Sequence, residues 1–227
     1  MHTMPGMPMP GGWTMSMMWM RMPAQSWAGF AGGFIVMWTI MMGAMMLPTL
    51  IPMLWRYRRA IRSPLAGALT VTVAAGYFLV WTATGCLTLA AGSTFAAAEM
   101  SRPGLARLVP LAAALLLVLA GLLQFSRWKL RHLACCGERP RCAGSRAAPF
   151  TSAWRHGLRL GWHCNACCAP LTCVLLVLGV MDLRVMGLVT AAIMLERMSP
   201  AGARMARFIG LIVIVTGLSA LQRSAGA

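Results

Sequence analysis

The sequence predicts an all-α protein: a polytopic membrane helix bundle of about six transmembrane helices with both termini outside. Three observations carry this prediction. Of the 227 residues, 59% are hydrophobic and only 11% charged, with a mean hydropathy of +0.71, whereas soluble domains carry about 25% charged residues. Several apolar stretches exceed the roughly 18–20 residues needed to cross a hydrocarbon core. Between those stretches the basic residues alternate in density.

The spans fall in order at 27–54, 66–91, 105–125, 158–180, 184–198 and 205–221, the fifth being short. Residues 1–26 precede them as a Met/Pro/Gly tail, and 126–157 is the one sizeable loop, so 27–227 forms a single transmembrane domain. The net charge of +16 distributes with these spans. Arg56, Arg58, Arg59 and Arg62 follow the first. Arg127, Lys129, Arg131, Arg139, Arg141, Arg146, Arg155 and Arg159 lie in or beside the loop. Arg197, Arg204 and Arg207 surround the turn after the fifth span. These are fifteen of the twenty Lys and Arg; Arg21, Arg102, Arg107, Arg184 and Arg223 fall on the other side. The positive-inside bias assigns the dense set to the cytoplasm and the chain to a bacterial inner membrane. Beyond topology, the charge suggests some contact with anionic lipid. No aromatic-basic platform accompanies it, so nucleic acid is not an expected partner. The first 20 residues lack the basic segment and short apolar core of a signal peptide.

The tail "MHTMPGMPMPGGWTMSMMWMRMP" carries nine Met, among them Met4, Met7 and Met9, together with His2. Pro5, Pro8, Pro10 and the glycines predict a flexible extracytoplasmic segment that does not fold alone. Thioether is a soft neutral donor suited to Cu(I) or Ag(I), and it binds without losing a proton. Met is also an adaptable apolar filler, so low-complexity sequence is the alternative reading.

The first span continues the theme with "MWTIMMGAMMLPTLIP". At 100° per residue Met37, Met41 and Met45 form one stripe, with Met42 and Met46 beside it. Pro48 removes the amide that would bond the carbonyl of Ala44, predicting a bend. Gly29 and Gly33, spaced small-xxx-small, predict close helix approach near the outer end.

The octets "MMGAMMLP" (41–48) and "HCNACCAP" (163–170) both place four soft donors at positions one, two, five and six and proline at eight. Met41, Met42, Met45 and Met46 thus share one helical face, as do His163, Cys164, Cys167 and Cys168. The first span runs inward and the fourth outward, so the two faces can meet in the cytoplasmic half. Such donors suit Cu(I), with Zn(II) as the alternative. Thiolates need charge compensation, for which Arg155 and Arg159 are nearby. Ordinary packing and thiol redox chemistry remain the competing readings of the cysteines.

The loop adds His132, Cys135, Cys136 and Cys142 as secondary metal candidates on the cytoplasmic side, where disulfides are disfavoured. Their spacing matches no familiar zinc module. Cys86 stands alone, and Cys173 points away from the quartet. Glu196 and Arg197 read most simply as an interfacial ion pair, and Asp182 with Arg184 as the cap of a short outer turn.

With these residues assembled, the chain resembles a bacterial family of uncharacterised proteins described as predicted metal-binding integral membrane proteins. The resemblance rests on Met41 and "AMMLPTLIP", "GYFLVW" (76–81), the Gln124/Lys129/Cys135 sequence, "GWHCNACC", "GVMDLRVM" (179–186) and Glu196. It covers roughly residues 38–200 and implies metal binding without naming metal or reaction. Arg184 and Val185 depart from the family's outer turn, and the Met-rich tail lies outside the likeness.

The expected function is therefore soft-metal handling, for Cu(I) first: capture by the tail, holding by the Met and Cys/His faces, and transfer through the loop thiols. Expected partners are the bilayer, the ion, and a metal-accepting protein or membrane complex, with a homo-oligomer also open. The alternatives are a membrane thiol oxidoreductase using Cys164 and Cys167, and a structural subunit. No hydrolase-type residue set is present, because the four acidic residues are dispersed.

Overall fold

A computed structural model describes the chain except residues 1–6, 10–12, 22–24, 62, 138–149, 181 and 226–227. Seven helices dominate it: α1 (Trp27–Ala60), α2 (Ala66–Ser101), α3 (Pro103–Leu123), α4 (Arg127–Gly137), α5 (Phe150–Leu178), α6 (Leu183–Met198) and α7 (Gly202–Ala225). Five of them, α1, α2, α3, α5 and α7, are long and apolar enough to cross a membrane. The expected fifth span, α6, has 16 residues and rises only about 24 Å, short of a hydrocarbon core. Five helices of spanning length and the shorter α6 thus account for the six expected spans, the fifth being the short one.

Local chemistry sets the helix ends. Ser26 accepts the Gly29 amide at 3.1 Å and caps α1. Pro103 occupies the first turn of α3, where a missing amide costs nothing. Asp182 caps α6 by accepting the Arg184 amide at 2.8 Å, as the sequence suggests. The α5–α6 turn needs Gly179, whose φ of +122° is closed to other residues.

Two stretches differ from expectation. Within the tail, β1 (Met7–Met9) pairs antiparallel with β2 (Trp13–Met15), Met7 opposite Met15. A short 3-10 turn at Met17–Trp19 follows. Within the loop, Arg127–Gly137 is the helix α4. Met4 and Cys142 lie outside the described residues.

The central core is enclosed by α1, α2, α5 and α6. Helices α1 and α5 each pack on α2 and on α6, so they face one another across the middle. α7 lies along α3 in antiparallel register: Gly210 abuts Gln124, and Gly217 abuts Val118 and Ala114. Trp19 packs beside Ala96 and Ala106 at the α2–α3 connection, and its ring lies against Gly92. The N-terminal segment and the C-terminal half of α7 therefore lie toward the same end of the bundle. The opposite, basic end gathers the C-terminal parts of α1, α3 and α6, the N-terminal part of α5, and α4. Outward positions carry large apolar side chains: Ile40 is 68% exposed, Leu87 72% and Leu188 73%.

Candidate metal centre

The site begins with a close helix crossing. A Cβ at Gly157 of α5 would stand 2.3 Å from the Val73 carbonyl oxygen of α2, and one at Gly161 2.9 Å from that of Tyr77. Small residues four apart let the two backbones touch. This contact sets the next turn of α5 against Tyr77, whose hydroxyl lies 3.1 Å from Cys164 Sγ. Asn165 fixes the neighbouring face by donating to Thr84 Oγ1 at 2.6 Å. Among the described residues the expected approach at Gly29 and Gly33 is not used: a Cβ at Gly33 would meet nothing within 4 Å, and one at Gly29 would meet only Ser26 and Gln25.

α1 is anchored by Trp38, which is fully buried and donates from Nε1 to the Trp81 carbonyl at 3.0 Å. One turn further, Met41, Met42, Met45 and Met46 are all buried. Cys164, Cys167 and Cys168 are buried as well, and all seven belong to one continuous core cluster. α1 continues as helix through Pro48 and Pro52, and α5 through Pro170. Each proline leaves the carbonyl four residues earlier without its helical amide. Thr49 donates to the Met46 carbonyl at 2.9 Å, and Cys167 Sγ to the Cys164 carbonyl at 3.3 Å. Cys167 and Cys168 Sγ are 3.7 Å apart, and none of the three cysteines is in a disulfide.

The charge partner of this cluster is Arg197, from α6. Its Nη1 donates to Cys164 Sγ and to Thr49 Oγ1, both at 2.9 Å, and Nη2 lies 3.4 Å from Met53 Sδ. One guanidinium thus ties α6 to both donor helices. It replaces the expected Glu196–Arg197 pair. Glu196 instead pairs with Lys129 of α4 at 2.7 Å, both side chains buried, and Lys129 also donates to Gln124 Oε1. A cavity of about 200 Å³ opens beside Arg197, lined by Thr49, Pro52, Met53, Arg56, Leu133 and Met198.

The expected His163 member meets a second histidine. It is partly exposed, and its Nδ1 lies 2.9 Å from His132 Nδ1 of α4. Its Nε2 accepts from Arg159 Nε at 3.5 Å. Arg159 is therefore engaged with the imidazole, and the thiol-facing cation is Arg197. Among the described residues no three His, Cys, Asp or Glu side chains converge as an ion-binding group. Cys135 and Cys136 lie near the end of α4, three and four residues after His132. Cys86 and Cys173 are exposed, away from the cluster.

Sequence reasoning missed Arg197, Tyr77 and Thr49. An ionisable residue inside an apolar helix is itself a functional signal, and Arg197 carried it. The residues that meet Cys164 come from helices whose pairing no local pattern reveals.

No curated protein and no solved structure matches the chain. The profile of one family, PpoB2, described as copper chaperone, matches residues 35–220. That match takes in α1 from the methionine face onward, the whole cysteine helix α5, and Arg197. The chain belongs to the PpoB2 copper chaperone family.

Proposed function

We propose that this protein is an integral membrane copper(I) handler that holds the ion between the methionine face of α1 and the thiols of α5 and delivers it to an acceptor protein. The observation that carries this reading is that Met41, Met42, Met45 and Met46 of α1 and Cys164, Cys167 and Cys168 of α5 all belong to one buried core, with Arg197 bridging Cys164 to Thr49 and Met53 of α1. Soft thiol and thioether donors in a water-poor pocket select a soft monovalent ion over harder divalent ones. Arg197 offsets the negative charge that two thiolates and one Cu⁺ would leave. The cavity beside Arg197 and Met53 supplies an approach from the basic end.

The outward apolar side chains and the five long helices support an inner-membrane location. The positive-inside bias puts the basic end in the cytoplasm and both termini outside. The Met-rich tail then serves as an outer collector of the ion, with Met4, Met7 and Met9 among its donors.

A thiol oxidoreductase fits less well. Cys164, Cys167 and Cys168 are 0%, 1% and 2% exposed, and thiol–disulfide exchange with a protein needs access to the sulfur. The test is elemental analysis and Cu(I) titration of detergent-purified protein beside a Cys164/Cys167/Cys168→Ser variant. Tight copper in the parent and its loss in the variant are expected. Unchanged copper content in the variant would sink the assignment.

A further inference from the structure

We propose that His132 and His163 form a second copper(I) site, separate from the buried sulfur cluster, that passes the ion between that cluster and the basic end of the bundle. The inference rests on the copper-handling reading above, and it deepens it by adding a nitrogen relay beside the sulfur core.

The geometry is that of two imidazoles aimed at one point. His132 Nδ1 and His163 Nδ1 are 2.9 Å apart, and the ring centroids are 5.1 Å apart at 44°. The two residues come from different helices, α4 and α5, so tertiary packing and not local sequence brings them together. Each ring is held. Trp128 packs edge-on against His132 at 4.7 Å, and Arg159 approaches His163 Nε2 at 3.5 Å.

The proton positions follow from the partners. A guanidinium can only donate, so His163 Nε2 accepts, and the neutral ring carries its proton on Nδ1. That proton points to the lone pair of His132 Nδ1. One proton thus occupies the place where a metal ion would sit between two nitrogens. Two imidazole nitrogens at about 2.0–2.1 Å from one ion stand about 3.3 Å apart at a tetrahedral angle and about 4.1 Å apart when collinear, the arrangement Cu(I) takes with two donors alone. The pair needs to open by about 0.4–1.2 Å, a movement of the two rings, to accept it.

Loading involves no redox change. The His163 proton moves from Nδ1 to Nε2 as Arg159 withdraws, both rings stay neutral, and Cu⁺ binds the two freed lone pairs as Cu⁺. Transfer inward is then ligand exchange with Cys164, the residue that follows His163 and begins the buried thiols. On the other side, Cys135 and Cys136 follow His132 by three and four residues in α4. Imidazole is a weaker donor to Cu(I) than thiolate, as a relay between two sulfur sites requires.

The test uses full-length protein in detergent, loaded anaerobically with Cu(I), with X-ray absorption at the copper edge and copper stoichiometry as readouts. Wild type is expected to show both sulfur and imidazole scattering. The His132→Ala/His163→Ala variant should lose the imidazole signal and about half the copper, with sulfur scattering kept. The Cys164/Cys167/Cys168→Ser variant should lose copper and the thiolate part of the sulfur scattering while keeping the imidazole signal. Sulfur scattering alone in wild type, a result that needs no variant, overturns this inference and leaves the copper-handling reading intact. No copper in wild type overturns both. Arg159→Gln, which offers His163 Nε2 an acceptor in place of a cation, should tighten the imidazole-bound copper roughly 10-fold. Unchanged or weaker affinity in that variant would contradict the Nδ1 pairing.

Discussion

Arg197 Nη1 lies 2.9 Å from Cys164 Sγ, joining α6 to α5 across 33 residues of sequence. The same nitrogen reaches Thr49 Oγ1 of α1. A single cation therefore fixes the spacing of the two helices that carry the soft donors. It also places positive charge where copper thiolates would leave a negative excess. Such an outer partner orients a ligand and tunes its affinity without touching the ion.

Arg197→Met should therefore weaken Cu(I) binding by roughly 10–100-fold, the usual cost of losing such a partner. Competition titration against a Cu(I) chelator reads this directly. Arg197→Lys keeps the charge but lacks the second guanidinium nitrogen, which reaches Met53 Sδ, so it should fall between wild type and Arg197→Met. Equal affinity in all three would remove Arg197 from the site.

The neighbouring ion pair should behave as a structural lock. Lys129 and Glu196 are 0% and 3% exposed, so Lys129→Met would leave a buried carboxylate without its cation. Breaking such a pair costs about 3–5 kcal/mol, whereas replacing both partners by apolar groups is nearly neutral. Thermal unfolding in detergent should show a large loss for Lys129→Met and recovery in Lys129→Met/Glu196→Met. A double variant as unstable as the single one would mean that the pair does more than balance charge.

The sequence carries the spans and the donor residues because both are local properties. Apolar length marks α1, α2, α3, α5 and α7, and fixed spacing puts Met41 to Met46 and Cys164 to Cys168 on helical faces. α4 is missed because its 11 residues, with Arg127, Lys129 and Arg131 among them, are too few and too polar on average to stand out from a loop, although their pattern is amphipathic. The partners within the site are missed for another reason. Glu196 next to Arg197 invites a local pair, yet each residue finds its counter-group on another helix. His163 shares a face with Cys167 by register, but docking of α4 supplies His132 and claims the ring. Gly157 and Gly161 have the same spacing as Gly29 and Gly33, and only the tertiary contact decides which pair is used.

That last comparison gives a matched pair of substitutions. Gly157→Ala would drive a methyl to 2.3 Å from the Val73 carbonyl, forcing α2 and α5 apart at a cost of about 1–3 kcal/mol. Gly33→Ala meets nothing within 4 Å and gains about 0.5–1 kcal/mol of helix propensity. Melting temperatures in one detergent should move in opposite directions. Because the crossing also sets Tyr77 against Cys164, Gly157→Ala should weaken copper binding, while Gly33→Ala should not.

The methionine face can be separated from the packing it also performs. Met and Leu are close in volume, and such exchanges usually cost under about 1.5 kcal/mol each, so Met41, Met42, Met45 and Met46 can be replaced by Leu with modest loss of stability. What disappears is the thioether sulfur. If these residues only fill the core, the fourfold Leu variant should fold and bind Cu(I) as the parent does. If they complete the donor set that the thiols of α5 leave open, the folded variant should keep its helicity and lose Cu(I) affinity by at least about 10-fold. Helicity by circular dichroism and chelator competition on the same sample distinguish the two outcomes. The burial of four methionines and three cysteines in the same core cluster predicts the second.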